Sequence, residues 1–284
     1  MTRASESDTE PAPAERGSQN LLMRIGAALV LAPAAIAVAY LGGWLWIALA
    51  TLAAIGMFVE WLMIVGASRD TRVVAGGVVA LGVAGISLGL GRVDAAVVVG
   101  VFGALSVAFP PTGRRGWNML GFCYAFAALF ASALVRGDQL WGFTALMLIL
   151  LVVWVTDIGG YFAGRGIGGP KLWPRVSPKK TWAGAVGGFV AALLIAAGFG
   201  AMSLGKIGPL LVLAAALSIV SQLGDLFESA VKRRFGVKDS GQMIPGHGGL
   251  LDRLDGFVAA VVLAAAIGIF RGGADGVGRG LMVW

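Results

Sequence analysis

Four aspartates stand where a lipid-soluble chain should carry none. Asp157 lies in "VWVTDIGGYFAGR" and Asp225 in "IVSQLGDLFES", each near the end of a long apolar run, while Asp252 and Asp255 open another run in "LLDRLDG". Carboxylates at that depth are costly unless they are paired, hydrated or bound to a cation. Asp225, Glu228, Ser229 and Lys232 follow the spacing i, i+3, i+4, i+7, which is one face of one helix. The plainer use of that face is a Glu228–Lys232 surface pair, with Asp225 satisfied by neighbouring backbone. The residues that follow argue for more. Arg233 and Lys238 come next, then "PGHGG", whose glycines at 246, 248 and 249 let backbone amides approach a ligand just before a helix begins. Carboxylates, cations and bare amides together suit a polyphosphate with its metal ion. The hard oxygens of Asp225 and Asp252 favour Mg2+ over a transition metal. His247, the sole histidine, has two readings: a structural residue held by glycine-rich backbone, or a contact to phosphate or ribose.

A second charged stretch, "GRGIGGPKLWPRVSPKKTWAG" at 164–184, joins glycines, the prolines at 170, 174 and 178, and the pair Lys179–Lys180. Trp173 and Trp182 also fit a lipid-headgroup anchor, because tryptophan collects at the membrane interface. The spacing of a phosphate-binding P-loop is absent.

The elements that must position these groups are membrane helices. Of 284 residues, 58% are hydrophobic and 13% charged, more apolar surface than a soluble domain could hide. Apolar runs at 24–42, 44–66, 73–91, 94–110, 117–135, 139–161, 183–204, 208–227 and 254–270 each approach the roughly 20 residues that cross a bilayer. The expected fold is all-α, a polytopic integral membrane protein of about nine transmembrane helices, eight being the other count the runs allow. Residues 1–23 read as a disordered polar tail rather than a secretory signal. Helices within 24–135 form an N-terminal group, and 136–284 forms a catalytic region with loops at 162–182 and 228–253. With the N-terminus in the cytoplasm, the basic residues concentrate inside, leaving only Arg92, Arg136, Lys206, Arg271 and Arg279 opposite. The net charge of +7 is therefore topology and phosphate recognition, not a nucleic-acid surface. The lone Cys123 excludes an internal disulfide.

The stretch "SAVKRRFGVKDSGQMIPGHGGLLDRLD" resembles the signature of the phosphatidate cytidylyltransferases, also called CDP-diacylglycerol synthases. Ser229, Lys232, Arg233, Lys238, Asp239, His247, Gly248, Gly249, Asp252, Arg253 and Asp255 all stand where that pattern fixes them. "TDIGGYFAGR", "SPKKTW" and "GDLFES" are similar to the family as well, and so is "EW" at Glu60–Trp61. Ala183 departs from it, since many relatives have an acid there, so no carboxylate role is placed at that position.

The resemblance implies transfer of CMP from CTP to phosphatidic acid, giving CDP-diacylglycerol and pyrophosphate at the inner face of the cytoplasmic membrane. It implies Mg2+ held by Asp225 and Asp252, a second cation such as K+, and a homodimer. Lys232, Arg233 and His247 join Asp225 and Asp252 as catalytic candidates. Substrate contacts fall to Asp157, Ser177, Lys179, Lys180, Ser229, Lys238, Asp239, Gly248, Gly249, Arg253 and Asp255. Three other functions compete. "DRLDGFVAA" offers the D-x-x-D-G start of a CDP-alcohol phosphotransferase, but it has Ala260 in place of that pattern's Arg and lacks the downstream Gly and paired Asp. A CTP-using lipid kinase shares only the charge logic. A secondary transporter would place its charge at the membrane midplane and show internal repeats.

Overall fold

A computed structural model describes residues 32–109, 113–241 and 248–284. Among the described residues ten helices follow one another: α1 (Ala32–Leu41), α2 (Gly43–Ile64), α3 (Thr71–Gly89), α4 (Val93–Ala108), α5 (Arg115–Gly137), α6 (Gly142–Gly166), α7 (Trp182–Ala201), α8 (Ile207–Arg234), α9 (Leu251–Gly272) and α10 (Val277–Met282). Each expected apolar run overlaps one of α1–α9. Seven of them, α2, α3 and α5–α9, are long and apolar enough to cross a membrane, whereas α1 and α4 are shorter apolar helices. The short α10 was not anticipated. Large apolar side chains such as Leu52, Leu194 and Val212 lie on the outside, as they must where hydrocarbon is the solvent.

Helix ends differ from the hydropathy reading for one reason. A helix does not stop where the hydrocarbon does, because its backbone ladder continues through polar turns. So α8 runs on to Arg234, with Lys232, Arg233 and Arg234 in its last turn, where cations oppose the helix dipole. Likewise α6 reaches Gly166, and α9 starts at Leu251. The two expected loops are shorter accordingly.

Among the described residues, the one sheet is an antiparallel hairpin of β1 (Lys171–Trp173) and β2 (Ser177–Thr181), with Lys171 opposite Thr181 and Trp173 opposite Ser177. Pro170, Pro174 and Pro178 bar a helix here. Thr181 ends β2 and caps α7, its hydroxyl accepting from Gly184 N at 3.1 Å.

The core forms two clusters, and each draws on both the early and the late helices. One surrounds Trp46, Leu146, Leu217 and Leu281, the other Phe58, Trp61, Phe122 and Leu251. Helices α6 and α7 meet backbone to backbone. A Cβ on Gly188 would lie 2.4 Å from Thr156 O, and one on Gly184 would lie 2.8 Å from Gly160 O. That contact fixes the α6 turn carrying Asp157 against the start of α7, and hence against β2.

Candidate active site

The face formed by Asp225, Glu228, Ser229 and Lys232 on α8 points inward. Lys232 is only 9% exposed, and its ammonium lies 2.6 Å from Glu228 Oε2 and 2.5 Å from Asp252 Oδ1. A buried ammonium persists only with such partners. Oδ2 of Asp252 accepts from Ser240 N at 3.0 Å and from Gly249 N at 3.3 Å. Glu228 is buried too, and among the described residues neither of its oxygens has a hydrogen bond of good geometry, so its link to Lys232 is essentially Coulombic.

One turn back along α8 a second group assembles. Lys180 of β2 reaches Asp225 Oδ2 as an ion pair, and Ser229 Oγ donates to Asp225 Oδ1 at 3.4 Å. Asp255 on α9 feels the charges of Asp225, Asp157 and Lys180, and Asp157 on α6 feels those of Asp225, Lys180 and Arg253. Asp255 is tied down by its neighbours: Gly256 N donates to its Oδ1 at 2.7 Å, and Tyr124 OH donates to its carbonyl oxygen at 3.2 Å. Four elements (α6, β2, α8 and α9) thus deliver Asp157, Lys180, Asp225, Lys232, Asp252, Arg253 and Asp255 to one region.

Other expected site residues stand apart from this cluster. Arg233 is exposed and donates to Val237 O at 3.2 Å, closing the end of α8. Lys238 and Asp239 are exposed beyond it. Ser177 begins β2, and Lys179 is exposed, while its neighbour Lys180 is half-buried against Asp225. Gly248 has φ +86°, and Gly249 fits only without a side chain, because its Cβ would fall 1.8 Å from Ser240 Oγ. His247 lies outside the described residues.

Three contributors lay beyond the site expected from sequence. Glu228 was visible by its spacing to Asp225 and Lys232. Ser240 has no such local signal. Glu60 of α2, flagged only by the "EW" pair, accepts from Leu250 N, Leu251 N and Ser240 Oγ.

The donor set fits a hard divalent cation. Five carboxyl groups, of Asp157, Asp225, Glu228, Asp252 and Asp255, gather with three basic side chains, of Lys180, Lys232 and Arg253, so hard oxygen donors are plentiful at the edge of a low-dielectric region. Among the described residues, no three acidic, histidine or cysteine side chains form a cage of their own. Mg2+ is usually held in that way, by one or two carboxylates with phosphate oxygens and water completing the shell.

The sequence profile of the cytidylyltransferase family matches residues 22–270. A protein named phosphatidate cytidylyltransferase from Brucella suis is 43% identical over 255 residues, covering 88% of this chain and 93% of its own length. Proteins of the same name from Bacillus subtilis (46% over 126 residues, 44% of this chain and 47% of the relative) and Haemophilus influenzae (40% over 169 residues, 53% and 59%) are also similar. By this match, which takes in every element around Asp225 and Asp252, the chain belongs to the cytidylyltransferase family.

Proposed function

We propose that this membrane protein is a phosphatidate cytidylyltransferase, moving CMP from CTP to phosphatidic acid with release of pyrophosphate. One observation carries the reading beyond family membership. Two carboxylate–ammonium pairs, Asp225–Lys180 and Asp252–Lys232, lie where the second half of α8 packs against the first turns of α9, a setting in which a lipid phosphate and a soluble nucleotide can meet.

The reaction is an in-line displacement. An oxygen of the phosphatidate phosphate bonds to the α-phosphorus of CTP, the bond from that phosphorus to the bridging oxygen breaks, and pyrophosphate departs with the electron pair. The nucleophile is already anionic, so the protein needs no strong general base. Its task is to bring two polyanions together. Asp225 and Asp252 are the residues that would hold Mg2+, which when bound shields the triphosphate and stabilises charge on the leaving group. Lys180 can exchange Asp225 for the incoming lipid phosphate. Lys232, kept charged by Glu228 and Asp252, supplies fixed positive potential, and Arg233, Lys238 and Arg253 line the approach from water. Asp157 and Asp255 hold Lys180 and Arg253 in place. A second cation such as K+ would draw on the remaining oxygen donors.

The charge asymmetry supports a cytoplasmic N-terminus, with α1 and α4 completing about nine passages and the site facing the cytosol, where CTP is made. A bacterial cytoplasmic membrane and a homodimer complete the reading. The D-x-x-D-G start at Asp252 falls within the matched family stretch and needs no rival explanation.

Purified protein incubated with Mg2+, phosphatidic acid and CTP labelled in the α-phosphate tests the reading. Equal amounts of lipid-bound label and pyrophosphate are expected. Label that stays water-soluble, or lipid phosphorylation with release of CDP, would overturn it.

A further inference from the structure

Glu60 is fully buried, and among the described residues no ion pair reaches it. Its partners are three donors from one place. Leu250 N lies 2.9 Å from Oε1, while Leu251 N and Ser240 Oγ lie 2.7 and 3.1 Å from Oε2. The first-turn amides of a helix have no partner within it, and the residue at the start of α9, Leu250, has no side-chain oxygen to offer them. A carboxylate from α2, distant in sequence, does this work and also meets the positive end of the helix dipole.

The consequence reaches Asp252. Its Oδ2 is held by Ser240 N and Gly249 N, and Glu60 anchors both: Ser240 through its hydroxyl, and Gly249 through the adjoining amide of Leu250. The two loop segments close around Glu60 so tightly that a Cβ on Gly241 or on Gly249 would each come within 2.8 Å of its oxygens. Only bare backbone lets them wrap the carboxylate.

We propose that Glu60 is a positioning residue that aims Asp252, acting through Ser240 and the first turn of α9, so that α2 is part of the catalytic apparatus and not only a membrane anchor. What Asp252 is aimed at rests on the cytidylyl-transfer reading. The hold of Glu60 on the loop does not.

The test compares full-length wild type, Glu60→Gln, Ser240→Ala and the double variant in lipid nanodiscs, by amide hydrogen exchange and by steady-state kinetics across Mg2+ concentration. In Glu60→Gln the Leu250 and Leu251 amides should exchange about tenfold faster while α6 and α7 keep wild-type protection. Its kcat should drop about tenfold to a hundredfold, with a higher Mg2+ requirement and an unchanged KM for phosphatidic acid. Ser240→Ala should move the same readouts less, and the double variant should be no worse than Glu60→Gln, since the hydroxyl acts through that carboxylate.

Wild-type kcat in Glu60→Gln despite faster local exchange would reduce Glu60 to a cap and overturn the proposal. So would unchanged exchange at Leu250 and Leu251, or strict additivity in the double variant. Should Glu60→Gln lose protection everywhere, Ser240→Ala decides: local loosening with reduced kcat supports the proposal, and wild-type kcat ends it. If wild type itself makes no CDP-diacylglycerol, the functional reading falls, and the exchange data alone still support or overturn the grip of Glu60.

Discussion

The two ends of the bundle use charge in opposite ways. Helix α9 begins at Leu251 and ends at Gly272, a length of about 33 Å, so its termini sample both ends. At the far end Arg136, Asp138 and Arg271 spend their charge on backbone, and Arg92 and Asp94 form an exposed pair of their own. Arg136 donates to the carbonyls of Ala39 and Tyr40 at the close of α1. Asp138 accepts from Leu140, Trp141 and Arg279 amides at 2.7–3.1 Å, and Arg271 donates to Gly280 O and Val283 O. A cavity of about 860 Å3 opens there, lined by Trp44, Trp46, Arg136, Asp138, Trp141 and Arg279 among others. At the Asp225 end, carboxylates face ammonium groups that a substrate phosphate could claim instead. Charges pledged to helix termini build a scaffold, whereas charges paired with movable side chains build a site. By that measure Glu60 belongs with the scaffold although it sits among the acids.

The sharpest way to break this comparison is to remove one carboxylate charge at each end. Asp225→Asn and Asp252→Asn should each lower lipid-bound CMP formation by about 10²–10³-fold, while the helices stay folded by circular dichroism. Asp138→Asn should do the reverse. Its turnover per folded molecule should match wild type, and its thermal unfolding should report a loss of about 1–2 kcal/mol, because an amide nitrogen in place of Oδ2 cannot accept from Arg279 N. Near-normal rates in either site variant, or a dead Asp138→Asn, would erase the distinction.

Lys232 tests whether a buried charge at the site also serves stability. Lys232→Met leaves Glu228 and Asp252 facing each other without their shared cation, which should cost about 3–5 kcal/mol in unfolding experiments as well as activity. Adding Glu228→Gln should restore part of the stability and none of the turnover. Recovery of both would make the triad a packing device.

Sequence carried far in some places and not in others, for reasons visible in these residues. Helix positions followed from hydropathy, and the Asp225–Glu228–Lys232 face followed from helical periodicity, because both are local. The resemblance drew Lys180 and Asp225 into one site, but no local rule brings β2 against α8. The pairing depends on the close α6–α7 contact. The grip of Glu60 on Leu250 and Leu251 joins residues on opposite sides of the chain, and only "EW" hinted at it. The hairpin was not anticipated, because strands of three and five residues leave little pattern to read.

The smallest expected effect probes that hairpin. Lys179 and Lys180 are adjacent and chemically identical, and sequence treats them as one pair. The structure separates them: β2 holds Lys180 half-buried against Asp225 and leaves Lys179 exposed. Lys180→Ala should therefore lower kcat/KM for phosphatidic acid about tenfold or more, the worth of one charge-assisted contact. Lys179→Ala should change it less than about twofold at moderate salt, because an exposed ammonium is screened and contributes only general attraction to an anionic bilayer. Diluting the substrate in zwitterionic lipid should widen the gap, since a direct phosphate contact survives dilution and surface attraction does not. Equal losses in the two variants would place both lysines at the membrane surface, and the receiving cation for the lipid phosphate would then have to come from α8 or α9.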